Sequence, residues 1–339
     1  MRARLLRLAV LSGVVGSGAL AACGARTGLL VPSAVMDGGG EGADVVDGGF
    51  PSPDAPLPPI DAAVPIVPND CVDAGSTLIY LVTSENTLYS FYPPAAEFVR
   101  IGTIACPTPA PAWQPFSMAV DREGTAYVLF SDMDPMPRPP GRLFRVSTAN
   151  ADCSALPYVG GQDGFSTFGM GFVGNADGGA ETLYIALSTP EGSTAAPKLG
   201  VLDVSNFQIS MVADISPANI VGAELTGTGD GRLFAFYATD CAPGDALVCS
   251  SSAIAQLDPM SGKALGNDNL SALPQTAPNG MGGWAFAFWG NDFYLFTTDP
   301  GTAGSIVTRF SPSDGSQARV ATLPELIVGA GVSTCAPQQ

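Results

Sequence analysis

Short aromatic strands recur along this chain at intervals of roughly 50 residues, and that period constrains the fold more than any other feature. They are Leu78-Ile79-Tyr80-Leu81-Val82, Ala126-Tyr127-Val128-Leu129-Phe130, Leu183-Tyr184-Ile185-Ala186-Leu187, Leu233-Phe234-Ala235-Phe236-Tyr237 and Phe293-Tyr294-Leu295-Phe296. Each of the last four follows a run of small and apolar residues and a turn. Ser117 to Asp121 leads through Glu123-Gly124, Gly169 to Val173 through Asp177-Gly178, Glu224 to Thr228 through Asp230-Gly231, and Trp284 to Trp289 through Gly290-Asn291. Such turns supply the positive φ that a tight hairpin needs.

A third strand follows each aromatic one: Leu88 to Phe91, Leu143 to Val146, Leu199 to Leu202, Ile254 to Leu257 and Ile306 to Phe310. A fourth closes most units, as in Phe98 to Ile104, Gln208 to Ile215 and Arg319 to Leu323. Four strands repeated five times predict an all-β, five-bladed β-propeller. A six- or seven-bladed ring or a β-sandwich shares the short-strand periodicity. The first unit lacks an inner strand, and a spare strand of the right character, Ile327 to Val332, stands near the C-terminus. If it completes the first blade, the ring closes on itself and no sheet edge is left open there. Small residues crowd the expected inner strands, among them Ser117, Ala119, Gly169, Gly171, Gly282, Gly283, Gly329 and Gly331. Packing around a central channel accounts for them.

Histidine is absent from the chain. This excludes Ser-His-Asp and Cys-His catalysis and any histidine-ligated zinc site. Carboxylate chemistry and oxygen-ligated calcium remain open. Neither a P-loop nor an Asp-x-Asp-x-Asp-Gly calcium loop occurs. Asp132-Met133-Asp134 is the nearest acidic cluster and reads as a solvated loop.

The first 22 residues read as an export signal, with Arg2, Arg4 and Arg7 ahead of an apolar stretch from Leu8 to Leu20 and small residues at the cleavage site. That stretch falls short of the roughly 20 residues a transmembrane helix requires. Beyond the signal the chain carries 11 basic against 31 acidic residues, a formal charge of −20. Such a surface repels nucleic acid and anionic headgroups. Residues 23–70 are rich in Gly, Pro, Ala and Asp, with Phe50 the sole aromatic and no Lys or Arg between Arg26 and Arg100. A segment of this kind cannot bury enough apolar surface to order itself, and reads as a disordered tether. Residues 71–339 form the propeller domain.

Six cysteines remain beyond residue 23: Cys71, Cys106, Cys153, Cys241, Cys249 and Cys335. An even number in an exported chain reads as disulfides, and six allow fifteen pairings. Cys241 and Cys249 share one Pro/Gly-containing loop, Cys71 and Cys335 bracket the domain, and Cys106 is then left to Cys153. No Cys-x-x-Cys spacing supports a thiolate metal site.

Leu20-Ala21-Ala22-Cys23 resembles a bacterial lipobox. The resemblance implies cleavage before Cys23, diacylation of its thiol and acylation of the new amino group. Two or more acyl chains anchor a protein stably. Gly24, where an Asp would resemble an inner-membrane retention signal, favours the outer membrane. The domain itself resembles a group of uncharacterised bacterial envelope lipoproteins. The resemblance is carried by Leu88 to Phe91, Pro115 to Asp121, Ala223 to Leu233, Trp284 to Trp289 and Val328 to Cys335. It implies a propeller at the cell envelope and no catalytic residue.

Propeller ligands sit at the channel mouth, so Trp113, Gln114, Glu224, Asn279 and Trp284 are the candidate binding face. Trp113 and Trp284 offer stacking surfaces for a sugar or an aromatic partner, although both also suit a core. Glu224 places a carboxylate where the aligned units have Ser117 and Gly169. The expected function is a lipid-anchored, non-catalytic module that binds a protein, peptide or glycan and needs no cofactor. A calcium-dependent hydrolase or lactonase is the alternative.

Overall fold

The computed structural model describes residues 77–132, 139–176, 179–187, 197–216, 221–242, 245–269, 283–299 and 303–338. Cys23, Cys71, Asn279, the export signal and the tether lie outside them, as do the side chains of Cys241 and Cys249.

Among the described residues, twenty strands form five four-stranded antiparallel sheets. Blade 1 contains β1 (Ile79–Thr83), β2 (Thr87–Tyr92) and β3 (Glu97–Thr103). Blade 2 is β4 (Trp113–Val120), β5 (Thr125–Asp132), β6 (Arg142–Ser147) and β7 (Cys153–Ala155). Blade 3 is β8 (Phe168–Gly174), β9 (Glu181–Leu187), β10 (Lys198–Asp203) and β11 (Gln208–Asp214). Blade 4 is β12 (Val221–Gly227), β13 (Leu233–Ala242), β14 (Asp245–Leu257) and β15 (Ala264–Asn269). Blade 5 is β16 (Trp284–Trp289), β17 (Asp292–Thr297), β18 (Ser305–Ser311) and β19 (Ser316–Leu323). The last strand, β20 (Ile327–Val332), pairs with β1 as the inner strand of blade 1, so the chain is a closed five-bladed β-propeller.

Apolar side chains fill the seams between blades, because each sheet has two faces to bury and a neighbour on either side. Phe168, Met170 and Phe172 of β8 pack against Ala119, Tyr127 and Leu129 of blade 2. Phe234 and Phe236 of blade 4 pack against Phe286, Phe288 and Phe293 of blade 5. Ile79 and Leu81 of β1 meet Phe296 and Val307 of blade 5, which binds the first blade to the last. The outer strands are exposed on alternate or most positions, as in β3 and β19.

The turns follow the chemistry expected of them. Gly290 and Asn291 both adopt positive φ, at 59° and 69°, in the two-residue connection of β16 to β17. Two elements differ from expectation. The segment read as a loop between Cys241 and Cys249 is instead a hairpin arm, with β13 and β14 paired as far as Ala242 and Asp245 and Cys241 opposite Cys249. Backbone pairing continues there through a register shift between Cys241 and Ala242. The inner strand of blade 4 also starts at Val221 rather than Glu224, with a register shift between these residues and Gly222 at φ 66°.

Cys106 and Cys153 form a disulfide across 47 residues of sequence and pin the three-residue β7 to the segment after β3. Cys335 is also disulfide-bonded, and its expected partner Cys71 lies outside the described residues. Replacing Cys106 and Cys153 together by serine is expected to lower stability by about 2–4 kcal/mol, read as the shift in a denaturant midpoint.

Candidate functional site

The register of the five inner strands defines what faces the axis. Gly329 pairs with Val82, Ser117 with Leu129, Gly169 with Ala186, Glu224 with Phe236 and Ala285 with Phe296. These five inner residues occupy equivalent positions, one per blade. Two residues further along lie Gly331, Ala119, Gly171, Thr226 and Ala287, opposite Tyr80, Tyr127, Tyr184, Phe234 and Tyr294. Nine of these ten inner positions are glycine, alanine, serine or threonine, and the tenth is Glu224. Close approach of neighbouring inner strands demands the small ones. A Cβ on Gly169 would fall 2.3 Å from the Ala223 carbonyl oxygen and 2.7 Å from the Glu224 Cα.

Glu224 is buried, with 7% of its surface exposed. Its Oε2 accepts a hydrogen bond of 2.8 Å from the Ser117 hydroxyl. The two residues belong to blades 2 and 4, so the bond passes over blade 3, where Gly169 carries no side chain to obstruct it. A register shift precedes each partner, between Pro115 and Ser117 in β4 and between Val221 and Glu224 in β12. Bulges bend a strand and re-aim its side chains. Burial raises the Glu224 carboxyl to about 8, against the opposing effect of the Ser117 hydrogen bond.

The remaining candidates divide by burial. Trp113 begins β4 and is buried at 7% exposure, in the seam with Tyr80, Val82 and Phe130. Gln114 is its exposed neighbour. Trp284 is half-buried: its ring stacks on Phe236 at 3.9 Å between centroids, and its Nε1 donates to the Gly222 carbonyl at 2.9 Å. One indole face is therefore already occupied. Glu224, Gln114 and Trp284 stand at the end where inner strands begin.

The opposite end is filled by the residues after β20, a feature the sequence reading missed. The Thr334 hydroxyl donates to Glu181 Oε2 of blade 3 at 2.8 Å. The Arg122 backbone N–H of blade 2 donates to Glu181 Oε1 at 2.9 Å. The Thr334 carbonyl lies against Gly229 of blade 4, and Gly290 of blade 5 donates its N–H to the Pro337 carbonyl at 2.7 Å. A tail leaving blade 1 thus touches each of the other four blades and lies across the axis. Arg122 and Glu181 approach to 3.7 Å there with both side chains buried. Burial raises the Asp121 carboxyl to about 7, opposed by the Thr125 N–H and reinforced by the charges of Glu123 and Glu181.

No group of three or more acidic, cysteine or histidine side chains suited to a metal ion occurs among the described residues. The run Gly169-Met170-Gly171-Phe172-Val173-Gly174 has the Gly-x-Gly-x-x-Gly spacing of a dinucleotide-binding loop, against the expectation from sequence that the chain holds no such run. It lies along β8, paired antiparallel with β9 throughout, and no strand-to-helix turn is present to receive a phosphate. Its glycines serve strand packing at the axis.

No family model matches the chain, and no curated protein matches it in sequence. Among solved structures it is similar to a chain of a nidogen/laminin complex, at 12% identity and a TM-score of 0.43, over 75% of this chain and 97% of that one. It is similar to a GH43_1 enzyme from Xanthomonas citri complexed with xylotriose, at 11% identity and a TM-score of 0.45, over 62% and 74%. A third likeness is to TolB from Acinetobacter baumannii, at 12% identity and a TM-score of 0.38, over 72% and 52%. At these scores none of the likenesses bears on function, and the propeller fold rests on the chain's own strand pairing.

Proposed function

We propose that this protein is a lipid-anchored binding module of the bacterial cell envelope, held through Cys23 and a long acidic tether. Its propeller recognises a protein, peptide or glycan at the channel mouth. The observation that carries the reading is the asymmetry of the axis. One end is occupied by the tail after Val332, and the other presents the exposed Gln114, the half-buried Trp284 and the lone axial carboxylate of Glu224. The absence of histidine from the chain favours recognition over acid–base catalysis.

Two measurements test the proposal. Radiolabelled acyl groups are expected on the wild-type protein and not on Cys23→Ser, and label retained in the variant refutes the anchor. The intact protein, immobilised, is expected to retain an envelope protein, peptide or glycan, with loss on Gln114→Trp, which obstructs the mouth from an exposed position. Retention that Gln114→Trp leaves untouched places recognition elsewhere on the surface. The calcium-dependent hydrolase is separated by melting temperature. Millimolar calcium or a chelator is expected to leave it unchanged, since a ligand of the native state must shift stability. A rise of several degrees with calcium favours the enzyme.

A further inference from the structure

Resting on the recognition reading above, we propose that the channel mouth takes a primary ammonium group, such as a lysine side chain of the partner, against Glu224. The ten axial positions nearest the mouth contain one ionisable side chain. The elements packed around it contribute Ser117 from β4, Gly169 from β8, Phe236 from β13, Trp284 and Ala285 from β16, and Gly329 from β20. None of these titrates or carries charge. Asp121, Arg122 and Glu181 belong to the far end, with the tail.

Glu224 Oε2 is engaged by Ser117, and Oε1 makes no hydrogen bond among the described residues. A buried carboxylate without a cationic partner is unfavourable unless it is protonated or paired. Once ionised, Glu224 has no cation to pair with among the ten inner positions. A divalent ion is a poor match: calcium takes six to eight oxygen ligands, several of them carboxylates, and here one carboxylate and one hydroxyl stand among glycine and alanine. An ammonium head brings one charge and three donors on a narrow stem.

Binding must displace the proton that burial keeps on Glu224. Affinity is therefore expected to rise about tenfold per pH unit between pH 6 and pH 8 and to level off above, with release of a proton on binding.

The test is calorimetric titration of the intact protein with n-butylammonium chloride, and separately with n-butanol, potassium chloride and calcium chloride, at pH 6, 7 and 8.5. Saturable heat with butylammonium only, growing with pH and falling at least tenfold in Glu224→Gln, is the expected result. Equal binding of potassium or of calcium overturns the ammonium assignment, as does butylammonium binding that is independent of pH. The wild-type pH profile decides the matter even if Glu224→Gln fails to fold. Retention of envelope material that butylammonium does not compete away also overturns the assignment, while leaving the binding module standing.

Discussion

The protein is expected to lose stability steadily between pH 5 and pH 8, and Glu224→Gln is expected to abolish much of that loss. The reason lies in where the Glu224 proton is held. In the unfolded chain the carboxyl ionises near its ordinary value of 4.5, whereas burial in the folded chain raises it to about 8. Across this window the folded state binds more protons than the unfolded one, so stability falls as pH rises. The contribution is fully present below the unfolded value and has disappeared above the folded one. Each unit of separation corresponds to about 1.4 kcal/mol, so the group withdraws on the order of 5 kcal/mol by pH 8.5. Glutamine reproduces the neutral acid in shape and keeps an acceptor for Ser117. At pH 8.5 the variant is therefore expected to be more stable than wild type by several kcal/mol, and at pH 4 nearly equal to it. Asp121, raised to about 7, adds a slope of the same sign that persists in the variant. Urea denaturation of both proteins at four or five pH values measures the effect. Parallel curves would show that Glu224 ionises freely in the folded chain.

Gly169→Ala is expected to be severely destabilising, although it adds a single methyl group. Its Cβ would lie 2.3 Å from one backbone atom and 2.7 Å from another, and neither belongs to a side chain that can rotate away. Accommodation requires blades 3 and 4 to separate at the axis, which disturbs the Ser117–Glu224 bond and the seam of Leu199, Leu225 and Ala235 behind it. Overpacking of a core usually costs about 1–3 kcal/mol, and a collision with backbone belongs at or beyond the upper end. Gly266→Ala is the control. It lies in the outer strand β15, nothing stands within 4 Å of an added Cβ, and its effect is expected to stay within about 1 kcal/mol. Chemical denaturation of the two variants side by side gives the comparison. A Gly169→Ala protein as stable as Gly266→Ala would mean that the axis is looser than the strand spacing implies.

Most of the architecture was legible because it is written locally. The recurring aromatic strands such as Tyr127 to Phe130, a Gly-Asn turn at residues 290–291 and a spare strand at Ile327 to Val332 each carry their own signal, and together they define five blades and a closed ring. The Cys106–Cys153 bridge followed from the even cysteine count once the other pairs were placed. The axial site was legible only in part. Sequence alignment put Glu224 level with Ser117 and Gly169, but their meeting across a third blade depends on two bulges that leave little trace in sequence beyond Gly222. Trp284 read either as a core residue or as a surface for a ligand to stack on. Its stacking partner is Phe236, almost fifty residues earlier and in the next blade, which no local pattern reveals. The tail across the axis was missed for the same kind of reason: Thr334, Gly229, Gly290 and Glu181 come together only when the ring is complete.

The pairing of β1 with β20 has a consequence for the order in which the molecule assembles. Ile79 lies opposite Val332, 253 residues later. Blades 2 to 5 are each continuous in sequence and can form as their strands appear, whereas the blade that begins the domain is the last to be completed. Contacts so distant in the chain carry a large entropic cost of closure before any pairing rewards it. Until β20 arrives, β1 presents an unpaired edge bearing Ile79 and Leu81, the kind of edge that recruits strands from other chains. Synthesis from the N-terminus therefore exposes this edge first and leaves it open until β20 is made.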